Sequence, residues 1–261
     1  VPYGGVARRA TFIAQQRSAH DHVLVLDAGD ALIKDRAPAT TSQGATSIDV
    51  MNRMGYDAAA LGEGDLAQLG VDAIRERMAE ADFPFLSANA YLDGAAPGTG
   101  RPFLDGELLA EPYRVLEAGT QRVALIGLTG EAEIPGLTIG DPVAAVQEAV
   151  RQIGDQAQVL ILVSHAGLET NREIAAQVPA LDVVVSGGGV HMTSTPEGGN
   201  GQPLILHADV SMPAHAGRRI GAGTFSFDQD GVLQSQQWES IPLDSETPDD
   251  PAMADWVASH S

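Results

Sequence analysis

Three side chains of types that hold metal ions stand where apolar runs give way to turns: Asp30, His165 and His191. Asp30 closes VLVLDAGD (23–30), His165 lies in LILVSHAG (160–167), and His191 ends VVVSGGGVH (183–191). Each run reads as a buried strand that delivers an Asp or a His to the turn past its carboxyl end, where α/β folds build their sites. Carboxylate and imidazole donors suit divalent cations of the Zn, Mn or Fe kind.

Each of these residues also has a plainer role open to it. Asp30 could cap a turn. His165 reads equally as a satisfied core histidine and as a ligand. His191 could be an ordinary loop residue, and Glu63 with Asp65 could form an exposed acidic turn. Asp27, inside a strand end, reads as structural, and His207 and His215 read as packing or surface residues. Ser164 and Ser186 precede site positions, but no G-x-S-x-G elbow surrounds them, which argues against a Ser-His-Asp hydrolase. The run Gly187-Gly188-Gly189 matches neither G-x-x-x-x-G-K-[ST] nor G-x-G-x-x-G, so a phosphate-cradling loop is disfavoured.

Composition narrows the classes further. The chain has 261 residues, 44% of them hydrophobic, enough for a sizeable globular core. Its formal net charge of −20 disfavours nucleic acid and anionic membrane surfaces as partners. No apolar run approaches the roughly 20 residues of a transmembrane helix. Cysteine is absent, which excludes disulfides, thiolate metal sites and a Cys nucleophile.

The elements that must position these residues follow from periodicity. Helices are expected over 4–18, with Val6, Ala10, Ile13 and Ala14 on one face, over 46–54 with Thr46 or Ser47 as N-cap and Gly55 as stop, over 71–81, over 142–153, around 172–177 and near Trp256. Strands are expected at 23–26, 56–61, 84–88, 159–163, 183–185, 204–207 and 222–227, with a turn at Asp230-Gly231. Segments 113–118 and 121–128 read as a hairpin about Gly119-Thr120, and 94–102 as a Gly/Pro-rich loop. The pattern is one mixed α/β domain, with strands sandwiched by helices and no linker or repeat.

Several segments together resemble the N-terminal metallophosphoesterase domain of 5′-nucleotidases, in the calcineurin-like superfamily. They are GGVARRA, LDAGD, YDAAALGEGDLAQLG, FLSANA, VSHAGLETNREIAAQVPALDVVVSGGGVH and ILHADVSMPAHAGRRIGAGTFSFD, in the family's order and covering most of the chain. The resemblance implies a four-layer α/β/β/α sandwich, two divalent metals and an extracytoplasmic (periplasmic or extracellular) location. In that family the metals generate the nucleophile that attacks phosphorus. By the same resemblance Asp30 matches the bridging aspartate, His165 the histidine of L-S-H, and His191 the last ligand of G-H-x-H. Glu63 stands for the asparagine of G-N-H-E, Gly64 for its transition-state histidine, and Gly189 for the first histidine of G-H-x-H. The family's opening D-x-H strand and its nucleoside-binding C-terminal domain have no counterpart in these 261 residues; a preceding segment carrying D-x-H would restore two ligands.

The expectation is therefore a degenerate site with no assignable catalytic residue. It would hold no metal or one, drawn from Asp30, Glu63, His165 and His191. Such a domain would not hydrolyse phosphate and would serve as a scaffold or binding subunit with a protein partner or within a larger complex. The alternative is an active phosphomonoesterase with a rebuilt one-metal site.

Overall fold

The computed structural model describes residues 4–33, 38–93, 107–189, 195–199, 201–208 and 217–260. In chain order the first elements are α1 (Val6–Ala19), β1 (Leu26–Asp27), α2 (Ala45–Met54), β2 (Ala58–Ala60), α3 (Glu63–Glu80) and β3 (Phe85–Leu86). Then come β4 (Ala90–Leu92), β5 (Tyr113–Ala118), β6 (Gln121–Leu128), β7 (Leu137–Ile139), α4 (Pro142–Ile153) and β8 (Val159–Ser164). The last are α5 (Gly167–Gln177), β9 (Val183–Ser186), β10 (Leu204–Leu206), β11 (Arg219–Phe227), β12 (Leu233–Pro242) and α6 (Pro251–Ser259).

Two sheets form the centre. One has the order β1-β2-β3, all parallel. The other has the order β10-β9-β8-β6-β5, parallel except for the β5–β6 hairpin. The sheets pack face to face through Ala58 and Leu86 on one side and Val123, Leu125 and Val159 on the other. Gly127 sits at the closest approach, where a Cβ would lie 2.3 Å from the Leu86 backbone. The outer face of the three-stranded sheet is covered by α1, α2 and α3 through residues such as Ile13, Ile48, Leu66 and Ile74. The outer face of the five-stranded sheet is covered by α4 and α5 through Val146, Ala149, Ile174 and their neighbours. This is the four-layer α/β/β/α sandwich.

The apolar pattern explains the layering. Strands buried on both faces read as continuous apolar runs rather than alternating ones. In β6 the residues 123–128 are all buried, and Leu125 and Ile126 belong to opposite faces. Asp141 caps α4 by accepting from the Ala144 amide at 2.8 Å, and Pro142 opens its first turn. The β5–β6 register places Ala118 opposite Gln121, with Gly119 and Thr120 as the two-residue turn.

Several expected boundaries move. The buried side of α1 is Ala7, Phe12 and Ile13, while Ala14 is exposed. α2 has no side-chain N-cap, since Gly44 holds that place at φ 85° and Ser47 donates to the Leu32 carbonyl at 2.7 Å. Gly55 stops α2 in the left-handed conformation, as expected. α3 begins at Glu63, well before the expected position 71, and breaks at Gly70 (φ 77°, ψ 167°), so the expected helix is only its second part. The strand expected at 23–26 pairs only at Leu26–Asp27, and β4, β7 and β12 have no counterpart among the expected elements. The loop expected at 94–102 lies outside the described residues.

Candidate functional site

The carboxyl ends of β1, β2, β6, β8 and β9 converge, and the turns that follow them carry the site. Asp30 comes from the turn after β1, Glu63 from the first residue of α3, and His165 from the residue after β8. Their ligating atoms all lie within 4.8 Å of one another, and among the described residues they form the one metal-capable cluster of this kind. His165 Nδ1 is 2.6 Å from Glu63 Oε2, and its Nε2 is 3.6 Å from Asp30 Oδ2. The structure thus brings together three of the four expected residues. His191 lies outside the described residues, as does His215.

Local backbone geometry holds each member. Asp30 has φ 55°, a left-handed conformation that Asp tolerates better than most residues. Its Oδ1 accepts from the Asp65 amide at 2.9 Å, so a residue from another loop caps the start of α3. Asp65 in turn accepts from the Leu32 and Ile33 amides, both at 2.9 Å, which fastens the loop carrying Asp30 to α3. Asp65 is only 4% exposed and Glu63 is half-buried, so the pair is no exposed acidic turn. Asp27 accepts from the Gly29 amide at 2.9 Å, in keeping with its structural reading. His207 is buried, a packing position rather than a surface one.

Glycines permit this close approach. A Cβ on Gly62 would lie 2.2 Å from Asp30 Oδ1, and one on Gly64 would lie 2.4 Å from Asp30 Oδ2. On Gly130 it would lie 2.5 Å from Glu63 Oε2.

The electrostatics follow from the geometry. Burial opposes protonation of His165, but the hydrogen bond to Glu63 and the charges of Asp30, Glu63 and Asp27 prevail and raise its pKa above the usual histidine value. Burial likewise works to raise the Glu63 carboxyl, yet the hydrogen bond and charge of His165 outweigh it and hold the group below the usual range. The site is an imidazole between two carboxylates.

This donor set fits one divalent cation. Two carboxylates and an imidazole suit Zn, Mn or Fe, and their spacing matches ligands around a single ion. A cation there would compete with the proton shared by His165 and Glu63 for the same lone pairs, so its binding would release a proton.

The residues that sequence reasoning misses are those that hold the cluster. Asp65 reads with Glu63 as a surface turn, and Asn171, buried behind β8, has nothing in the sequence to single it out. A buried carboxylate directly after a Gly-Glu-Gly turn has no periodic signature, because its partners are backbone amides of another loop.

No protein-family model matches the chain. Curated relatives do. The 5′-nucleotidase of Bos taurus is 32% identical over 270 residues, which cover 95% of this chain and 45% of the relative. The Homo sapiens 5′-nucleotidase is 32% identical over 272 residues, covering 96% and 46%. A probable 5′-nucleotidase of Treponema pallidum is 30% identical over 253 residues, covering 89% and 41%. The chain thus spans less than half the length of these relatives. Among solved structures, a 5′-nucleotidase precursor from Thermus thermophilus superposes with a TM-score of 0.83 at 24% identity, covering 99% of this chain and 53% of that one. Sulfate thiohydrolase SoxB of Thermus thermophilus superposes with a TM-score of 0.85 at 21% identity, covering 99% and 47%. These two likenesses establish the fold, and the curated relatives extend it to kinship. The chain belongs to the 5′-nucleotidase family, as a counterpart of its N-terminal metallophosphoesterase domain.

Proposed function

We propose that this domain has kept the metallophosphoesterase frame and lost phosphate-ester hydrolysis, and that it acts outside the cytoplasm as a scaffold or binding subunit of a larger assembly. The observation that carries this reading is Gly64. The family resemblance gives this position to a transition-state histidine. Here the position offers no side-chain donor, and the Asp30 carboxylate fills the space a side chain would need. Removing one preorganised donor from such a site costs about 10²–10³ in rate. The cluster Asp30–Glu63–His165 would hold a single cation. When bound, that cation would polarise an oxygen ligand and lower the pKa of a coordinated water.

The cluster itself favours a second reading, a phosphomonoesterase that works with one metal. Turnover of an aryl phosphate with added Mn²⁺ or Zn²⁺ separates the two. The first reading expects no turnover above the blank. Turnover that disappears in Asp30→Ala would overturn it and establish the second.

A further inference from the structure

A buried amide stands behind His165. Asn171, on α5, is fully buried (0% exposed), and so is Ser164. Ser164 and Ser186 are register partners at the carboxyl ends of β8 and β9. Consecutive residues of an extended segment point to opposite faces. Ser164 therefore turns toward α5, while His165 turns toward Glu63 and Asp30.

Asn171 joins both serines. Ser164 Oγ donates to Asn171 Oδ1 at 2.7 Å, and Asn171 Nδ2 donates to Ser186 Oγ at 2.7 Å. Ser164 Oγ also accepts from the Ala166 amide at 3.1 Å, so the residues on both sides of His165 share this anchor. Gly187, which follows Ser186, packs on the imidazole, and a Cβ there would lie 3.1 Å from His165 Cδ2. One amide thus fixes the backbone that carries the imidazole and the backbone that walls it. An amide can accept and donate at once, which an apolar side chain of the same size cannot do.

We infer that Asn171 is the positioning residue that aims His165 at Glu63 and Asp30. This rests on the reading of those three residues as the functional cluster. Loss of the amide leaves two buried hydroxyls without their partner, and the strand ends shift to satisfy them.

The test is a comparison of the full chain with Asn171→Leu, Asn171→Asp and Ile174→Val. Ile174 is a fully buried neighbour on the same helix and serves as a packing control. The primary readout is the proton NMR signal of His165 Nδ1–H, expected downfield and protected from exchange because it is shared with Glu63 at 2.6 Å. The second is Mn²⁺ affinity. The wild type, Asn171→Asp and Ile174→Val are expected to show the signal, and Asn171→Leu to lose it and bind Mn²⁺ about 10–100-fold more weakly. If Asn171→Leu does not fold, Asn171→Ser takes its place with the same expectation. A wild-type signal in folded Asn171→Leu or Asn171→Ser overturns the inference. So does its absence in the wild type, or its loss in Ile174→Val. If the wild type hydrolyses aryl phosphate, the proposed function fails, and, whether or not Mn²⁺ binds, the NMR comparison still decides the role of Asn171.

Discussion

The Asp30 carboxylate occupies the place that a side chain at position 64 would need: a Cβ on Gly64 would lie 2.4 Å from Asp30 Oδ2. The same carboxylate caps α3 through the Asp65 amide at 2.9 Å. A residue that the family resemblance assigns to metal is thus engaged in holding a helix, and the neighbouring glycine makes that possible.

Gly64→Ala should therefore destabilise the domain. In an ordinary helical turn this substitution stabilises by up to about 1 kcal/mol. Here it displaces the capping carboxylate, and loss of such a cap costs about 0.5–2 kcal/mol. Thermal denaturation of the variant should show a lower Tm, and a higher Tm would contradict the capping role of Asp30.

Asp65→Ala should cost about 1–3 kcal/mol, because the Leu32 and Ile33 amides lose their shared acceptor. Asp65→Asn keeps an acceptor and should lose less. Urea unfolding of the two variants gives the order, and equal stabilities would rule out the amide contacts as the cause.

The pH dependence of stability carries the sign of the Glu63–His165 pair. His165 has a raised pKa in the folded state, so its contribution is full below the unfolded histidine value and is lost as pH rises through the folded one. Glu63 has a lowered pKa, so its contribution is present above the unfolded glutamate value and is lost as pH falls through the folded one. The pair therefore stabilises most between the two unfolded values. The stability difference between the wild type and Glu63→Gln, followed by calorimetry, should be largest in that window. A difference that is flat with pH would show that the pair does not form.

Leu125 and Ile126 are consecutive, fully buried, and face different layers. Truncating either to Ala should cost about 2–5 kcal/mol. A sheet covered on one face only would make one of the two substitutions mild, so chemical denaturation of both variants tests the four-layer arrangement.

These relationships are legible in the sequence to different degrees. β6, β8 and β9 stand out as apolar runs because they are buried on both faces. α4 stands out because Asp141 and Pro142 mark its start. The start of α3 is hidden, since Gly62-Glu63-Gly64-Asp65 reads as a turn and its cap comes from Asp30, 35 residues away from the capped amide. β12 is hidden because its exposed run Gln234-Ser235-Gln236-Gln237 has little strand character, and its pairing with β11 supplies what propensity does not. For the site, residue type and position after a strand identify Asp30 and His165. The resemblance suggests Glu63, but its hydrogen bond to His165 spans 102 positions and leaves no local pattern.

Anomalous diffraction from crystals soaked in Mn²⁺ addresses the central claim most directly. A single peak among Asp30, Glu63 and His165, or none, is the predicted result. Two peaks less than about 4 Å apart at that place would be a dinuclear phosphoesterase centre and would contradict the account.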